Sequence, residues 1–144
     1  MVQLSDSQAQ LLSNARVGHL ATADARGAPH VIPLCYAFNG RAVYSVLDQK
    51  PKRVPLTSLR RVRNILGNSQ VALVVDHYEE DWGRLWYILI LGRADLLQDG
   101  EERVAAIELL RQKYPQYRDM LIDANPVIKI TPTRVVSWSA GRAI

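Results

Sequence analysis

Short apolar stretches separated by tight-turn residues fill the first third of the chain, and this arrangement constrains the fold most. Two stretches with alternating apolar residues are joined by the tetrapeptide Asp-Ala-Arg-Gly at residues 24–27. The second stretch reaches Asn39-Gly40, a dipeptide typical of two-residue hairpin turns, and a third runs from Ala42 to Leu47. The sequence therefore predicts three consecutive antiparallel strands.

The rest of the chain predicts three more strands with helices between them. A capping box at Ser5 and Gln8 begins a short helix that ends near Arg16. Pro55 begins a second helix that ends at Gly67. The remaining elements are strands at Val71–Val75, Leu85 to about Asp95, and Val127 to Trp138, and a third helix from Glu101 to Tyr114 with Val104, Ile107 and Leu110 facing inward. We therefore expect a mainly β protein, a barrel of about six antiparallel strands with peripheral helices.

Length and composition favour one domain that covers residues 1–144. The chain has 144 residues, of which 48% are hydrophobic, enough for one core. Its single cysteine, Cys35, cannot form an intrachain disulfide, and the N-terminus lacks the pattern of a signal peptide. The longest apolar run, Leu85–Leu91, is far below the roughly 20 residues of a membrane-spanning helix. We expect a cytoplasmic protein without a membrane partner.

The fifth predicted strand is apolar on both faces. Leu85–Leu91 contains no polar alternation, so both faces of this strand need a covering surface. A domain of this size has one core to cover one face. The pattern therefore predicts a homodimer formed through the sheet.

Positive charge is concentrated in one segment that follows the third predicted strand. Between Asp48 and Asn64 stand six cations, Lys50, Lys52, Arg53, Arg60, Arg61 and Arg63, whereas the whole chain carries a net charge of +4. A nucleic-acid-binding protein spreads its cations along a face, so the concentration favours an anion site and no nucleic-acid partner. On a helical projection Arg60, Arg63 and Asn64 cluster and Arg61 points away, which favours Arg60 and Arg63 as partners of the two lysines. The alternative is a solvated helix face.

Other reactive side chains carry weaker signals. Cys35 has the pattern of a small buried hydrophobe without an activating base. The three histidines have no spacing typical of a metal site, and an axial haem ligand stays open as an alternative. Trp82, Trp86 and Trp138 are typical of core or interface positions, with cofactor contact as the alternative. No dinucleotide-binding, P-loop, zinc-protease or nucleophile-elbow motif is present in the sequence.

Several short motifs together resemble one family. They are Leu20-Ala21-Thr22, Gly27-Ala28-Pro29-His30-Val31-Ile32-Pro33, Asp48-Gln49-Lys50-Pro51-Lys52, Asp81-Trp82 and Gly92-Arg93-Ala94. With Leu59-Arg60, Asn64-Ile65 and the run from Val75 to Tyr78, they resemble the pyridoxamine phosphate oxidase-like split-barrel proteins over about Leu4 to Trp138. The Lys-Pro-Lys and Asp81-Trp82 features resemble the branch of deazaflavin (coenzyme F420)-dependent oxidoreductases. The resemblance implies a split β-barrel of the FMN-binding type, in the α+β class.

The resemblance also implies a cofactor site in a cleft between two subunits. The cofactor ring lies against Ile32, Pro33, Leu34, Cys35, Ser45, Val46 and Leu47, and its phosphate and acidic tail meet Lys50, Lys52, Arg60, Arg63 and the neighbouring Asn64. One departure is that no arginine stands near Leu89, where relatives often have one.

The implied activity is hydride transfer from F420 to a small electron-poor substrate. No catalytic residue is assigned, although Tyr36, Tyr78 and His30 are candidate proton donors, and no metal is expected. An FMN-dependent oxidase or reductase, or an FMN-binding protein, is the first alternative. A haem-binding split barrel is the second.

Overall fold

A computed structural model of the chain describes residues 2–48 and 55–144. Within these residues the strands are β1 (Gly18–Ala23), β2 (Pro29–Leu34), β3 (Ala37–Phe38), β4 (Val43–Val46), β5 (Gln70–His77), β6 (Trp86–Leu97) and β7 (Val127–Ser139). They form one antiparallel sheet in the order β2-β1-β5-β6-β7-β4-β3. The sheet curls into a half-barrel, which confirms the predicted fold class.

Three α-helices lie at the periphery of the described sheet: α1 (Asp6–Asn14), α2 (Arg60–Gly67) and α3 (Glu101–Lys113). Short 3-10 segments occupy Leu56–Ser58, Trp82–Arg84 and Pro115–Asp119. The capping box at Ser5 and Gln8 is present, so the predicted start of α1 is confirmed. No helix in the described parts of the chain has the length and hydropathy needed to span a bilayer.

The second predicted strand is two strands. β2 pairs with β1 through the turn at residues 24–27, and β3 pairs with β4 through the Asn39-Gly40 turn, so both predicted hairpins are confirmed. However, the chain leaves the sheet edge after Leu34 and rejoins it at Ala37 on the opposite edge. The prediction of three consecutive strands was therefore wrong at Cys35 and Tyr36, which form a corner between the two edges.

The core lies inside the curl of the sheet and beneath α3. The inner cluster includes fully buried Leu20, Leu73, Ile88 and Ile90, with Leu12 of α1 closing one end. A second cluster under α3 contains Ala106, Ile107, Leu110, Tyr114, Tyr117 and Val127. Val104 is 60% exposed, so its predicted inward position was wrong, because α3 packs through Ala106 instead.

The opposite side of β5, β6 and β7 presents apolar side chains outward. We call this surface the outer face; it consists of Ala72, Val74, Tyr87, Leu89, Leu91, Val136 and Trp138. Leu89 stands between Val74 and Val136 in the strand register, and the rings of Tyr87 and Trp138 stack at 6.2 Å between centroids. The apolar character of both faces of β6, expected from the sequence, is confirmed.

Candidate functional site

A cleft of about 400 Å³ opens between the end of β2 and the end of β4. We call it the β2–β4 cleft. Its lining residues are Val17, Ile32, Pro33, Leu34, Cys35, Ser45, Val46, Asp48 and Arg61. Six of the residues expected at the cofactor ring therefore line one cavity, although they come from two opposite edges of the sheet.

Two incompletely paired strand edges border the β2–β4 cleft. Within the described residues, β2 is an edge strand with only β1 beside it. β3 pairs with Val43 and Tyr44, so Ser45 and Val46 have no strand partner on that side among residues 2–48 and 55–144. Unpaired strand edges present backbone N–H and C=O groups that need partners. A planar heterocycle with donors and acceptors along its rim has the chemistry to bind between these edges.

Side-chain hydrogen bonds hold the corner at Cys35 and Tyr36. The Ser45 hydroxyl donates to the Cys35 carbonyl at 2.8 Å. The Tyr114 hydroxyl accepts from the Tyr36 backbone N–H at 3.1 Å and donates to the Tyr36 carbonyl at 3.0 Å. Because these bonds satisfy both carbonyl groups of the corner and the Tyr36 N–H, this wall of the cleft has a defined position.

Lys113 completes this corner. Its ammonium donates to the Tyr36 carbonyl at 3.0 Å and lies 4.0 Å from the centroid of the Tyr36 ring. Burial, reinforced by the charge of Arg16, lowers the pKa of Lys113 to about 8. The corner is thus held by a lysine that titrates near the upper end of the physiological range.

Asp48 and Arg61 place opposite charges at the rim of the cleft. The Tyr117 hydroxyl donates to the Asp48 carboxylate at 2.7 Å. Burial lowers the pKa of Arg61, and the nearby negative charge of Asp48 opposes that shift. A partly desolvated guanidinium interacts more strongly with an anion than an exposed one, so Arg61 is the cation in the cleft best placed to bind a phosphate.

Arg61 lines the β2–β4 cleft, whereas the sequence projection placed it on the far side of the helix from Arg60 and Arg63. The buried residues of α2 are Val62, Asn64 and Ile65, whereas Leu66 is 65% exposed. Arg61 precedes Ile65 by four residues and so shares its face of the helix. The sequence projection used Leu59, Val62 and Leu66 as the inward positions. Val62 is buried and Leu59 packs against the core, but Leu66 is exposed, and including it rotated the expected apolar face away from Arg61.

The other predicted site residues that the structure describes lie outside the cleft lining. Arg60 and Arg63 are exposed. Hydrogen bonds from the Ala28 and Arg26 backbone are the main reason that the pKa of Asp24 is lowered, and the positive charge of Arg60 makes a smaller contribution. Asn64 is 3% exposed and donates to the Thr22 hydroxyl at 3.0 Å. Leu47 is fully buried. Lys50 and Lys52 fall outside the described residues, and cofactor contact by any of these six residues stays a prediction.

The candidate proton donors have different surroundings. The Tyr36 hydroxyl donates to the Leu12 carbonyl, and burial raises the pKa of Tyr36. Tyr78 is 62% exposed, and its hydroxyl donates to Glu80 at 3.3 Å. His30 is half-buried, and its Nδ1 has no hydrogen-bond partner in the described parts of the chain.

The described residues contain no group of three or more His, Cys, Asp or Glu side chains placed to hold a metal ion. The three tryptophans differ in environment. Trp86 packs against the inner core, whereas Trp82 and Trp138 are 66% and 47% exposed.

Sequence reasoning missed Val17, Asp48 and Arg61 as lining residues. Asp48 carried a usable signal, because it directly follows a predicted strand and begins the cationic segment. Val17 carried none, since it precedes β1 in a segment without a motif.

The family profile described as pyridoxamine 5'-phosphate oxidase matches residues 5–137. No protein with a curated description matches the sequence.

Solved structures share the fold at low sequence identity. An F420 reductase is 22% identical with a TM-score of 0.66, and the alignment covers 92% of this chain and 98% of that one. An FAD-binding protein from Mesorhizobium loti is 22% identical with a TM-score of 0.69, covering 94% and 95%. The haem-storage protein HutZ from Vibrio cholerae is 15% identical with a TM-score of 0.70, covering 96% and 95%. At these sequence identities, the structural similarity shows that the fold is shared and nothing more.

Proposed function

The chain belongs to the pyridoxamine 5'-phosphate oxidase family, and on that premise we propose that it is an oxidoreductase that binds coenzyme F420 in the β2–β4 cleft. The observation that carries this proposal is the convergence of two unpaired strand edges and Arg61 on one cavity. A deazaflavin has a planar ring with a hydrogen-bonding rim and a phosphate, and the cleft offers complementary groups for both.

The residues present fit such a group. Backbone from Ile32 to Cys35 and from Ser45 to Val46 would hold the ring, with Pro33 offering an apolar surface and no N–H. Arg61 would bind the phosphate. Lys50 and Lys52 follow Asp48 by two and four positions in the sequence and would extend the cationic region toward an acidic tail.

The chain's own residues would bind and orient the reactants. When bound, the reduced cofactor supplies a hydride to an electron-poor double bond of a small substrate. The Cys35–Tyr36 corner would fix the ring, because Ser45, Lys113 and Tyr114 hold the backbone there. Fixed orientation of two reactants lowers the entropic part of the barrier to their reaction.

We also propose that the active form is a homodimer joined through the outer face. The centre of the face is apolar across three strands, with Asp76 beside Tyr87 and Arg134 beside Leu91 at its margins. Trp138 and Tyr87 are 47% and 37% exposed on it. A contiguous apolar surface of this kind is typical of a protein-binding surface. A second copy of the chain presents the same face and can cover it by two-fold symmetry.

Titration of the purified apo-protein with F420 and with FMN tests the cofactor proposal. We expect stoichiometric F420 binding that is at least tenfold tighter than FMN binding. The reason is that the six cations between Asp48 and Asn64 are more than the single phosphate of FMN needs. Tight FMN binding without a response to F420 would favour the FMN-dependent alternative. The observation that favours this alternative is that the described part of the cleft contains one arginine, Arg61, which suffices for the single phosphate of FMN.

A hemin titration is the third arm of the experiment. A Soret band that disappears in one His→Ala variant would favour the haem alternative.

A further inference from the structure

A second depression, which we call the barrel-end groove, runs along the end of the barrel beside α1. Two adjoining cavities of about 550 and 430 Å³ form it, and they share the lining residues Leu11, His77 and Trp86. The smaller cavity also shares Val17 with the β2–β4 cleft. Cavities of this size hold small organic molecules. The groove therefore adjoins the proposed cofactor site and is distinct from it.

Two near-parallel aromatic rings form one wall of the groove. His77 and Trp86 are register partners on β5 and β6, with ring centroids 6.4 Å apart and an angle of 19° between the ring planes. The Glu79 carboxylate contacts Nε2 of His77, which constrains the orientation of the imidazole. Leu11 of α1 adds an apolar surface. This wall suits a flat, conjugated molecule.

Cations line the larger cavity of the groove. Arg84 and Arg142 both line it, and the one acidic side chain among its described lining residues, Glu79, already contacts His77. The Arg84 guanidinium is only loosely paired, at 4.0 Å from Glu79 and 3.9 Å from Asp81. Arg142 has no hydrogen bond or ion pair with residues 2–48 or 55–144. The larger cavity therefore offers two guanidinium groups to an anionic ligand.

The backbone around the groove is closely packed. Ala140 N–H donates to the Leu85 carbonyl at 2.9 Å, and a Cβ on Gly141 would lie 3.0 Å from the Gly83 carbonyl oxygen. These contacts hold the segment after β7 against Trp82–Arg84. Gln8 of α1 donates to the Ser137 hydroxyl at 2.9 Å, which ties the helix to β7. The walls that carry the aromatic rings and the arginines are thus linked to one another.

We propose that the barrel-end groove binds planar conjugated carboxylates, with the ring against His77 and Trp86 and the carboxylate at Arg84 and Arg142. That this groove is the binding site of the electron-poor substrate rests on the function proposed above. The binding itself does not depend on that function, since every residue that carries it lies outside the β2–β4 cleft lining.

Calorimetric titration of the full-length apo-protein with trans-cinnamate and with its neutral amide tests the proposal. We expect cinnamate to bind at least tenfold more tightly than cinnamamide. The double variant Arg84→Gln/Arg142→Gln should lose at least tenfold in cinnamate affinity. Arg26→Gln, which removes an exposed arginine in the β1–β2 turn, should leave that affinity unchanged. Absence of cinnamate binding to the wild type, or equal binding by the double variant, would overturn the proposal.

Titrating the same proteins with FMN and F420 separates this proposal from the proposed function. Failure of both cofactors to bind the wild type, with cinnamate still bound, would remove the proposed function and leave the groove assignment intact. A double variant that loses affinity for F420 but retains cinnamate would overturn the groove assignment and place the cofactor's acidic tail there instead. Loss of cinnamate with unchanged F420 and FMN affinity supports a separate substrate site.

Discussion

The hydroxyl of Tyr117 donates a 2.7 Å hydrogen bond to the carboxylate of Asp48 across 69 positions of sequence. Tyr117 is 4% exposed. Its burial, and to a smaller extent its hydrogen bond to Asp48, raises the pKa of the hydroxyl, so the hydroxyl stays protonated and can donate. Asp48 directly precedes the segment that contains Lys50 and Lys52. The contact therefore ties Asp48, at the start of the cationic segment, to the 3-10 turn at Pro115–Asp119 that follows α3.

Replacing Tyr117 with Phe should affect both stability and cofactor binding. Loss of the hydrogen bond should lower the free energy of unfolding by about 1 kcal/mol, measured by chemical denaturation. The affinity for F420 should fall severalfold, because Asp48 at the cleft rim loses its anchor. Tyr44→Phe is the matched control, since it removes a hydroxyl that donates to Glu102 outside the cleft lining. Equal F420 affinity in the two variants would contradict the positioning role of Tyr117.

Replacing Arg61 with Gln should weaken F420 binding by about tenfold to a hundredfold, as expected for loss of a charge-assisted contact to a phosphate. Arg63→Gln should weaken binding less than Arg61→Gln does, because Arg63 is exposed and does not line the cleft. Arg61→Lys should restore part of the affinity, which separates charge from folding. The cofactor titration measures all three variants, and the reverse ranking of Arg61 and Arg63 would contradict the site geometry.

Lys113 should make stability depend on pH in the alkaline range. Its pKa is about 8 in the folded chain against 10.5 for an ordinary lysine. Between these two pH values Lys113 is more protonated in the unfolded chain than in the folded chain, so the free energy of unfolding rises with pH. Below about pH 8 Lys113 is protonated in both states, so the cost of burying its charge does not change with pH. Relative to Lys113→Met, the wild type should gain about 1 to 2 kcal/mol from pH 7.5 to 10, after allowance for solvent screening. Denaturation curves at several pH values measure the difference, and a constant difference would contradict the account.

Much of the architecture followed from local signals in the sequence. Asn39-Gly40 and residues 24–27 specify their own turns, and the capping box specifies the start of α1. The corner at Cys35 and Tyr36 has no such signal, because no Gly, Asn or Asp interrupts the chain from Pro29 to Phe38. Distant side chains form that corner: Tyr114 and Lys113 supply its hydrogen bonds from the C-terminal end of α3.

Assignment of the cleft residues depended on the same kind of tertiary information. The strand positions from Ile32 to Cys35 and at Ser45 and Val46 were predicted through a family resemblance. Arg61 was not, since six cations in one segment look alike until the buried face of α2 is known. That face is set by Ile65 and Asn64, and Asn64 is an inward residue that a hydrophobic projection assigns to solvent.

Gly92 should tolerate no side chain. It stands at the irregularity in the β6–β7 pairing, and a Cβ there would lie 2.6 Å from the backbone oxygen of Thr131. Gly92→Ala should lower the free energy of unfolding by about 1 to 3 kcal/mol. Gly67→Ala is the control, because no atom lies within 4 Å of its added Cβ, and it should be neutral or slightly stabilising. A thermal or chemical melt compares the two, and equal effects would contradict the close packing at Gly92.

A charged residue at the centre of the outer face should dissociate the proposed dimer. Leu89 lies between Val74 and Val136, so Leu89→Asp places a carboxylate inside the apolar surface. Light scattering after size exclusion should report a dimer for the wild type and a monomer for this variant. Val104→Asp, at a 60% exposed position on α3, should remain dimeric. A monomeric wild type would contradict the dimer proposal.

Cys35 offers the most direct test of cofactor binding in the β2–β4 cleft, because it is the chain's single cysteine and lines that cavity. The rate of Cys35 alkylation by iodoacetamide, followed by mass spectrometry, should fall at least tenfold when one equivalent of F420 is bound per chain. Arg61→Gln should require more F420 for the same protection. An alkylation rate that is unchanged at saturating F420 would contradict the placement of the cofactor between β2 and β4.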